Sequence, residues 1–371
     1  MDTPRIPRIQ RALVAVGPGP LGLKPVAVPR SAPDEALVRT SAVALNPSDH
    51  RLLDQSTTVG AVSGADLAGT VVRLGCGPDG ESHLKVGDRV LGFTFGANPG
   101  NPGNGAFSEY VAVVARLCVR LPDAMDFATA ASLPMGIFTV GFIFRSLGFD
   151  LHPDSLPPPP LSSPTTPSNH KPTTGEFVLV NGGATATGTL TLQMLRLAGY
   201  RPIATCSPST ADLARSRGAI ATFDYTSPTV RDEIREYTNE RLQFAIDCIG
   251  TPETMALCYG AIGETGGKYV ALEQHPRRLT IRRRDVAHYW VLGWTILGKE
   301  AKLAGAYHRP ATPEDRSFGE EWAAKMEELL RRKQLEAHPL GLHGGGLPAL
   351  IACLDQLRKG KVRGKKVVIT I

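Results

Sequence analysis

The stretch Phe177-Val178-Leu179-Val180-Asn181-Gly182-Gly183-Ala184-Thr185-Ala186-Thr187-Gly188 decides the fold of this chain. Its apolar start reads as a buried strand. Small residues and adjacent glycines then turn the backbone, and Thr189–Leu197 continues as a helix with Gly199 as its C-cap. The alternation repeats downstream. Pro202–Cys206 reads as a strand, Ser209–Arg217 as a helix closed by Gly218, and Ala221–Asp224 as a short strand. Val230–Thr238 is helical, Phe244–Asp247 a strand, Thr251–Tyr259 a helix and Lys268–Leu272 a strand. Repeated βα units of this length predict an α/β fold with a doubly wound parallel sheet.

Upstream the pattern changes. Short runs at Ala36–Thr40, Gly69–Leu74, Arg89–Phe93, Phe107–Val113 and Cys118–Leu121 lie between Gly and Pro breaks, as in a compact all-β barrel or sandwich. Gly96–Gly105 reads as a loop, and Asp126–Ile143 as helix broken near Pro134. His152–Pro172 holds eight prolines in 21 residues and reads as an exposed, extended insertion. The tail carries helices at Phe318–Arg332 and Pro348–Leu357 and a last strand at Lys366–Ile371. The expected division is a β lobe over 1–123, an α/β domain over 124–318 with an insertion at 150–174, and a tail over 319–371.

The 371 residues are 42% hydrophobic, enough for a core along most of the chain. The 41 Lys and Arg against 35 Asp and Glu leave +6, scattered rather than gathered into the basic stripe of a nucleic-acid binder. No apolar run reaches the ~20 residues of a membrane helix. Met1–Arg5 lacks a secretory apolar stretch, and the six cysteines form no CxxC pair. The expectation is a soluble, cytoplasmic protein with reduced thiols and no nucleic-acid or membrane partner.

A strand that passes through a small-residue turn into a helix is the context of a dinucleotide-binding turn. The helix N-terminus offers free N–H groups and the positive end of its dipole to a pyrophosphate. Gly182, Gly183 and Gly188 match GxGxxG only in part. Ala184, Thr185, Ala186 and Thr187 fill the rest, and Thr185 and Thr187 offer hydroxyls to phosphate oxygens. At the end of the second strand, Cys206-Ser207-Pro208-Ser209-Thr210 has no carboxylate for a ribose 2′-hydroxyl. The hydroxyls of Ser207, Ser209 and Thr210, with Arg215 one turn later, suit a 2′-phosphate, so the expected cofactor is NADPH. Tyr225 stands where it can reach the same phosphate. The plainer alternatives are an unliganded turn and a helix N-cap at Ser209 or Thr210.

Further segments carry a resemblance: Ala44-Leu45-Asn46-Pro47-Ser48-Asp49, Gly64–Val71, Lys85–Val90, Gly105–Tyr110 and Ala131–Pro134. With the glycine turn they resemble the medium-chain dehydrogenase/reductase superfamily, in its zinc-free quinone-reductase branch. That resemblance implies a GroES-like β-barrel lobe, a Rossmann domain, and a chain that returns to the first lobe. Gln193–Leu197, Pro202–Pro208, Ala214–Ala219, Phe223–Tyr225 and the Pro-rich insertion are similar to the fungal trans-acting polyketide enoyl reductases of the lovastatin type.

The resemblance implies cofactor contacts at Ser48, Asp49, His50 and Arg51, at Ala184, Thr185, Ala186 and Thr187, at Ser207, Pro208, Ser209 and Thr210, and at Tyr225, Leu272, Glu273, Arg363 and Gly364. It implies a substrate site at Met135, Gly136, Ile137, Phe138, Thr139, Val140, Gly141 and Phe142 and at Trp294, Thr295, Ile296, Leu297 and Gly298. No catalytic residue or proton donor is assigned; Arg51 and Thr139 are candidates to stabilise an enolate. Gly64-Ala65-Asp66 stands where zinc-dependent members carry Gly-His-Glu, so no metal is expected.

The implied activity is hydride transfer from NADPH to an α,β-unsaturated thioester on an acyl carrier. The implied partner is a polyketide synthase, or its hybrid with a peptide synthetase, whose own enoyl-reductase domain is inactive. A zinc-independent NADPH:quinone or alkenal oxidoreductase is the alternative, and a nucleotide-binding scaffold without turnover is a third reading. A monomer is plausible on this reading.

Overall fold

The computed structural model describes residues 6–75, 83–151, 175–275, 280–281 and 283–371. Most of the Pro-rich insertion, along with Cys76, therefore lies outside the described residues. The chain forms two units: Met1–Phe138, Gly293–Lys333 and Ala337–Ile371 in one, Thr139–Leu292 and Gln334–Glu336 in the other.

The first unit opens with the hairpin β1 (Ile9–Ala15) and β2 (Leu21–Ala27). Next come β3 (Glu35–Ala44), α1 (Pro47–Gln55), β4 (Asp66–Leu74), β5 (Arg89–Phe93), β6 (Tyr110–Val114) and β7 (Val119–Arg120). Helices α2 (Phe127–Ala131) and α3 (Pro134–Leu147) follow, and α3 continues into the second unit. Gly69 sits where β3 and β4 nearly touch: a Cβ there would lie 2.1 Å from the Arg39 carbonyl oxygen. Leu13, Leu37, Leu67, Leu91 and Phe107 are fully buried in this lobe.

The second unit holds β8 (Phe177–Asn181), α4 (Ala186–Leu197), β9 (Arg201–Cys206), α5 (Ala211–Ser216), β10 (Ala221–Asp224), α6 (Val230–Tyr237), β11 (Phe244–Asp247), α7 (Pro252–Ala261), β12 (Gly267–Ala271) and β13 (Val286–Trp290). Its six strands are parallel in the order β10-β9-β8-β11-β12-β13. Counted along the chain this is 3-2-1-4-5-6, the Rossmann order, which places its switch point beside β8. Leu179, Ile203, Ala245, Met255 and Tyr269 anchor its core.

The chain then returns to the first unit through α8 (Pro313–Arg331), β14 (Leu340–His343), α9 (Gly346–Arg358) and β15 (Lys366–Thr370). There the sheet order is β14-β15-β3-β4-β5-β7, with β6 also paired to β3. The α/β class, the GroES-like lobe, the Rossmann sheet and the C-terminal return agree with the sequence.

The contacts divide the chain elsewhere than at 123/124 and 318/319. Helix α2 packs on β3, β4 and β5 of the barrel. Trp294 stacks on Phe95 at 4.4 Å and on Phe93 at 5.3 Å between ring centroids, which ties residues 293–297 to the lobe. Four strands have no counterpart in the sequence reading. β13 is an edge strand whose middle residues are exposed, so its pattern lacks apolar alternation. β2 contains Pro25, which reads against a strand, and β1 and β14 are a hairpin arm and a mostly exposed edge.

Candidate functional site

Asn181 ends β8 and Gly182 turns the chain at φ +75°, in the left-handed region that glycine occupies without strain. Gly183 N–H donates to the Thr205 carbonyl at 3.0 Å, which pins the turn to β9. Thr185 caps α4: its hydroxyl accepts the Gly188 N–H at 3.0 Å and donates to the Gly182 carbonyl at 2.8 Å. Its proton is thus spent inside the turn, and the phosphate-donor role expected of Thr185 is held by a cap instead. Gly188 lies against the turn so closely that a Cβ would be 2.3 Å from the Gly182 oxygen. A cradle this tight, at a helix N-terminus and a sheet switch point, fits a pyrophosphate.

Behind the turn lies a buried polar chain that sequence reasoning missed. Gly182 N–H donates to Thr205 Oγ1 at 3.2 Å, and that hydroxyl donates to Asn181 Oδ1 at 2.5 Å. Asn181 Nδ2 donates to Asp247 Oδ1 at 2.8 Å. The same oxygen accepts the Ile249 and Gly250 N–H groups at 3.0 Å each. Asp247 Oδ2 accepts Thr254 Oγ1 at 2.7 Å and Tyr269 Oη at 3.0 Å. The carboxylate thereby joins the ends of β8, β9 and β11 to the middle of β12. Burial pushes the Cys248 and Tyr269 pKa values up, and Asp247 adds to both. The available signal was Asp247 itself, a charge ending the apolar run Phe244–Ile246.

After β9 a surface recess of about 290 Å³ is lined by Cys206, Ser207, Pro208, Ala211, Arg215, Thr222, Phe223 and Asp224. Ser207 Oγ lies 3.1 Å from Ser209 Oγ and 2.9 Å from Thr210 Oγ1, so three of the expected hydroxyls form one cluster. Arg215 is held by Thr222 Oγ1 at 2.6 Å and Asp212 at 3.2 Å. Asp224 also lines the recess, but its Oδ1 is engaged by the Thr226 N–H and hydroxyl at 2.9 and 2.8 Å. Tyr225 is exposed beside it. Leu272 and Glu273 follow β12 and are half-buried, and the Glu273 side chain packs on Gly250.

In the first unit, the expected contacts Ser48–Arg51 lie in the first turns of α1. Ser48 Oγ is buried and, among the described residues, has no hydrogen-bond partner. Asp49 is different. Its carboxyl is buried and accepts the Asn46 N–H at 2.7 Å, so it serves the helix cap. Burial pushes its pKa up to about 7, against the Asn46 hydrogen bond. Burial pushes the His50 pKa down, against a 3.4 Å contact with Asp54. Arg363 is exposed and Gly364, at φ +62°, half-buried in the loop before β15.

The expected substrate residues are mostly interior. Ile137, Phe138, Val140 and Ile296 have no exposure, and Thr139, Phe142, Trp294 and Thr295 are buried. Gly136 and Gly141 are buried too, and Met135, Leu297 and Gly298 are half-buried. Trp322 Nε1 donates to the Ile137 carbonyl at 2.8 Å, which anchors α3 to α8 within the lobe. Among the described residues no group of three or more His, Cys, Asp or Glu is placed to hold a metal ion, and no helix is long and apolar enough to cross a membrane.

Comparison with known proteins agrees with this architecture. Residues 32–123 match the alcohol dehydrogenase GroES-like domain family, and residues 186–292 the zinc-binding dehydrogenase family. The solved structure of the CurK enoyl reductase superposes with a TM-score of 0.73 over 97% of this chain and 99% of that one, at 17% identity. Fold and turn together define an oxidoreductase of the medium-chain dehydrogenase/reductase superfamily. Trans-enoyl reductase caaB of Aspergillus niger is 46% identical over 372 residues, covering 100% of this chain and 99% of its own. The enoyl reductase component lovC of the lovastatin nonaketide synthase of Aspergillus terreus is 41% identical, covering 91% and 89%. The chain belongs to the fungal trans-enoyl reductase family.

Proposed function

We propose that the protein is a trans-acting, metal-free enoyl reductase that uses NADPH to reduce α,β-unsaturated polyketide thioesters. The substrate is carried by an acyl carrier protein of a partner polyketide synthase. The observation that carries this reading is the glycine turn at the Rossmann switch point, in a chain 46% identical over its full length to a trans-enoyl reductase. When bound, NADPH would supply the hydride that adds to the β-carbon of the enoyl thioester, and the enolate so formed is completed by a proton delivered to its α-carbon from a side chain or from water.

The chain's own residues bind and orient. The N–H groups at the start of α4 hold the pyrophosphate, and the Thr185 cap keeps that turn closed. Ser207, Ser209, Thr210 and Arg215 favour a 2′-phosphate over a bare ribose, with the Asp224 carboxylate engaged by its own turn. Ser48 Oγ is a buried donor available to the cofactor. Arg51 on α1 and Thr139 on α3 stay candidates for meeting the charge that develops on the thioester oxygen.

Purified protein, NADPH and a panel of enoyl-pantetheines test the proposal through loss of reduced cofactor. Turnover of enoyl thioesters with little turnover of free quinones is the expected outcome. Efficient quinone reduction without thioester turnover would move the protein to the quinone and alkenal reductases. NADPH binding without oxidation on any acceptor would make it a scaffold.

A further inference from the structure

The Asp of Gly64-Ala65-Asp66 has no part in the chemistry above, yet it is fully buried. β3 and β4 pair with Ala44 opposite Asp66, and β15 lies on the other side of β3 with Val368 opposite Ala44. Leu45 N–H donates to the Val367 carbonyl at 3.0 Å, and there the backbone ladder stops because Asn46 turns the chain into α1. From that point side chains set the register. Asp66 Oδ1 accepts the Met135 N–H at 2.7 Å. This is a first-turn amide of α3 that no carbonyl of its own helix can satisfy. Asp66 Oδ2 accepts Asn46 Nδ2 at 2.8 Å and lies 3.2 Å from Lys366 Nζ. Lys366 Nζ also donates to Asn46 Oδ1, and Asn46 N–H to Asp49 Oδ2 at 2.7 Å.

One carboxylate thus ties together the starts of α1, α3 and β15, all within the first unit. Each of those segments carries residues that the enoyl-reductase reading needs: Ser48–Arg51, Met135–Phe138 and Arg363–Gly364. A buried ion pair is a poor device for stability alone, since apolar packing of the same volume serves as well. Its directional bonds are better suited to fixing a register.

We propose that Asp66 and Lys366 are a pair of positioning residues, which hold the cofactor- and substrate-binding segments of this unit in register for the reduction. This inference rests on the enoyl-reductase reading. Single variants (Asp66→Asn, Lys366→Met) leave a buried group unpaired and lose stability. The decisive variant is the double Asp66→Asn/Lys366→Met, in which both charges are gone and the two amides can still bond each other.

In the full-length protein, the double variant should melt near the wild type. It should raise KM for NADPH at least about tenfold with kcat less affected, the signature of misplaced binding groups. Its amide hydrogen exchange should quicken at Asn46–Arg51 and Met135–Phe138. Wild-type KM and wild-type exchange in the double variant would overturn the proposal. Should the double variant fail to fold, Lys366→Arg keeps the cation, changes its reach, and is expected to show the same pattern at smaller amplitude; unchanged KM and exchange there overturn it equally. A wild type that oxidises NADPH on no enoyl thioester defeats the enzymatic reading instead. The exchange comparison then decides the positioning claim alone, with quickened exchange supporting it and unchanged exchange refuting it.

Discussion

Replacing Gly188 by alanine should damage nucleotide binding more than it damages the fold. The new Cβ would sit 2.3 Å from the Gly182 oxygen and 2.9 Å from the Gly183 Cα and carbonyl carbon, all backbone atoms that cannot swing aside. Non-bonded atoms settle at about 3.5 Å, so turn and helix must separate by roughly 1 Å. That motion pulls against the Gly183–Thr205 hydrogen bond and the Thr185 cap. Overpacking of this kind costs about 1–3 kcal/mol. Loss of the cap adds about 1 kcal/mol, which the better helix propensity of alanine offsets by a similar amount. At about 2–4 °C per kcal/mol, the melting temperature should fall by roughly 2–12 °C. Groups that bind by convergence lose far more from a 1 Å displacement, on the order of a hundredfold in affinity for NADPH. Fluorescence titration with NADPH and a thermal melt, run beside Gly103→Ala, measure both. A methyl group at Gly103 would meet nothing within 4 Å, so that variant supplies the neutral comparison. A Gly188→Ala protein that binds NADPH like Gly103→Ala would refute the claim that this turn cradles the cofactor.

Arg215→Ala should weaken NADPH by about 1.5–3 kcal/mol, a charge-assisted hydrogen bond, while NADH affinity moves less than about twofold. Equal losses for the two cofactors in parallel titrations would detach Arg215 from the 2′-phosphate. Asp49 gives a pH signature. Its folded pKa of about 7 exceeds the 3.8 of the free carboxyl, so the native state holds the proton more tightly. Its contribution to stability is complete below the lower value and is lost as pH rises through the higher one. The melting temperature should therefore fall from pH 5 to 8 more steeply in the wild type than in Asp49→Asn; parallel melting curves would contradict the buried, protonated carboxyl. Dialysis against a chelator should leave enoyl-thioester turnover intact, and a loss that added zinc restores would contradict the metal-free assignment.

How much of this was legible in the sequence depended on whether a signal was local. The glycine turn, the βα alternation and the hydroxyl cluster after β9 are written in consecutive residues, and periodicity with turn chemistry reveals them. β13 was not legible, because its exposed residues at an edge leave no apolar rhythm. Thr185 shows the limit within a motif: its presence was readable, but its proton goes to Gly182, a detail settled only by the closed turn. The Asp66 and Asp247 clusters lay further out of reach. Asp66 meets Lys366 across 300 residues and Met135 across 69, and Asp247 meets Asn181 across 66. Such partners are chosen by which strand ends the topology brings together.

The two carboxylates do related work at different strand ends. Asp247 accepts two consecutive backbone N–H groups after its own strand and reaches the glycine turn through Asn181 and Thr205. Asp66 accepts the N–H of a helix that begins far along the chain. Each supplies what the sheet cannot, a fixed direction for backbone beyond the last ladder bond, where the functional residues must sit. A buried charge bound this way is costly to leave unpaired and has few alternative partners. Loops attached to it inherit the rigidity of the sheet. On the function proposed above, cofactor binding in this chain rests on backbone N–H groups, hydroxyls and Arg215. Such groups bind strongly only when several converge, so on that reading the buried carboxylates act by holding those groups in place.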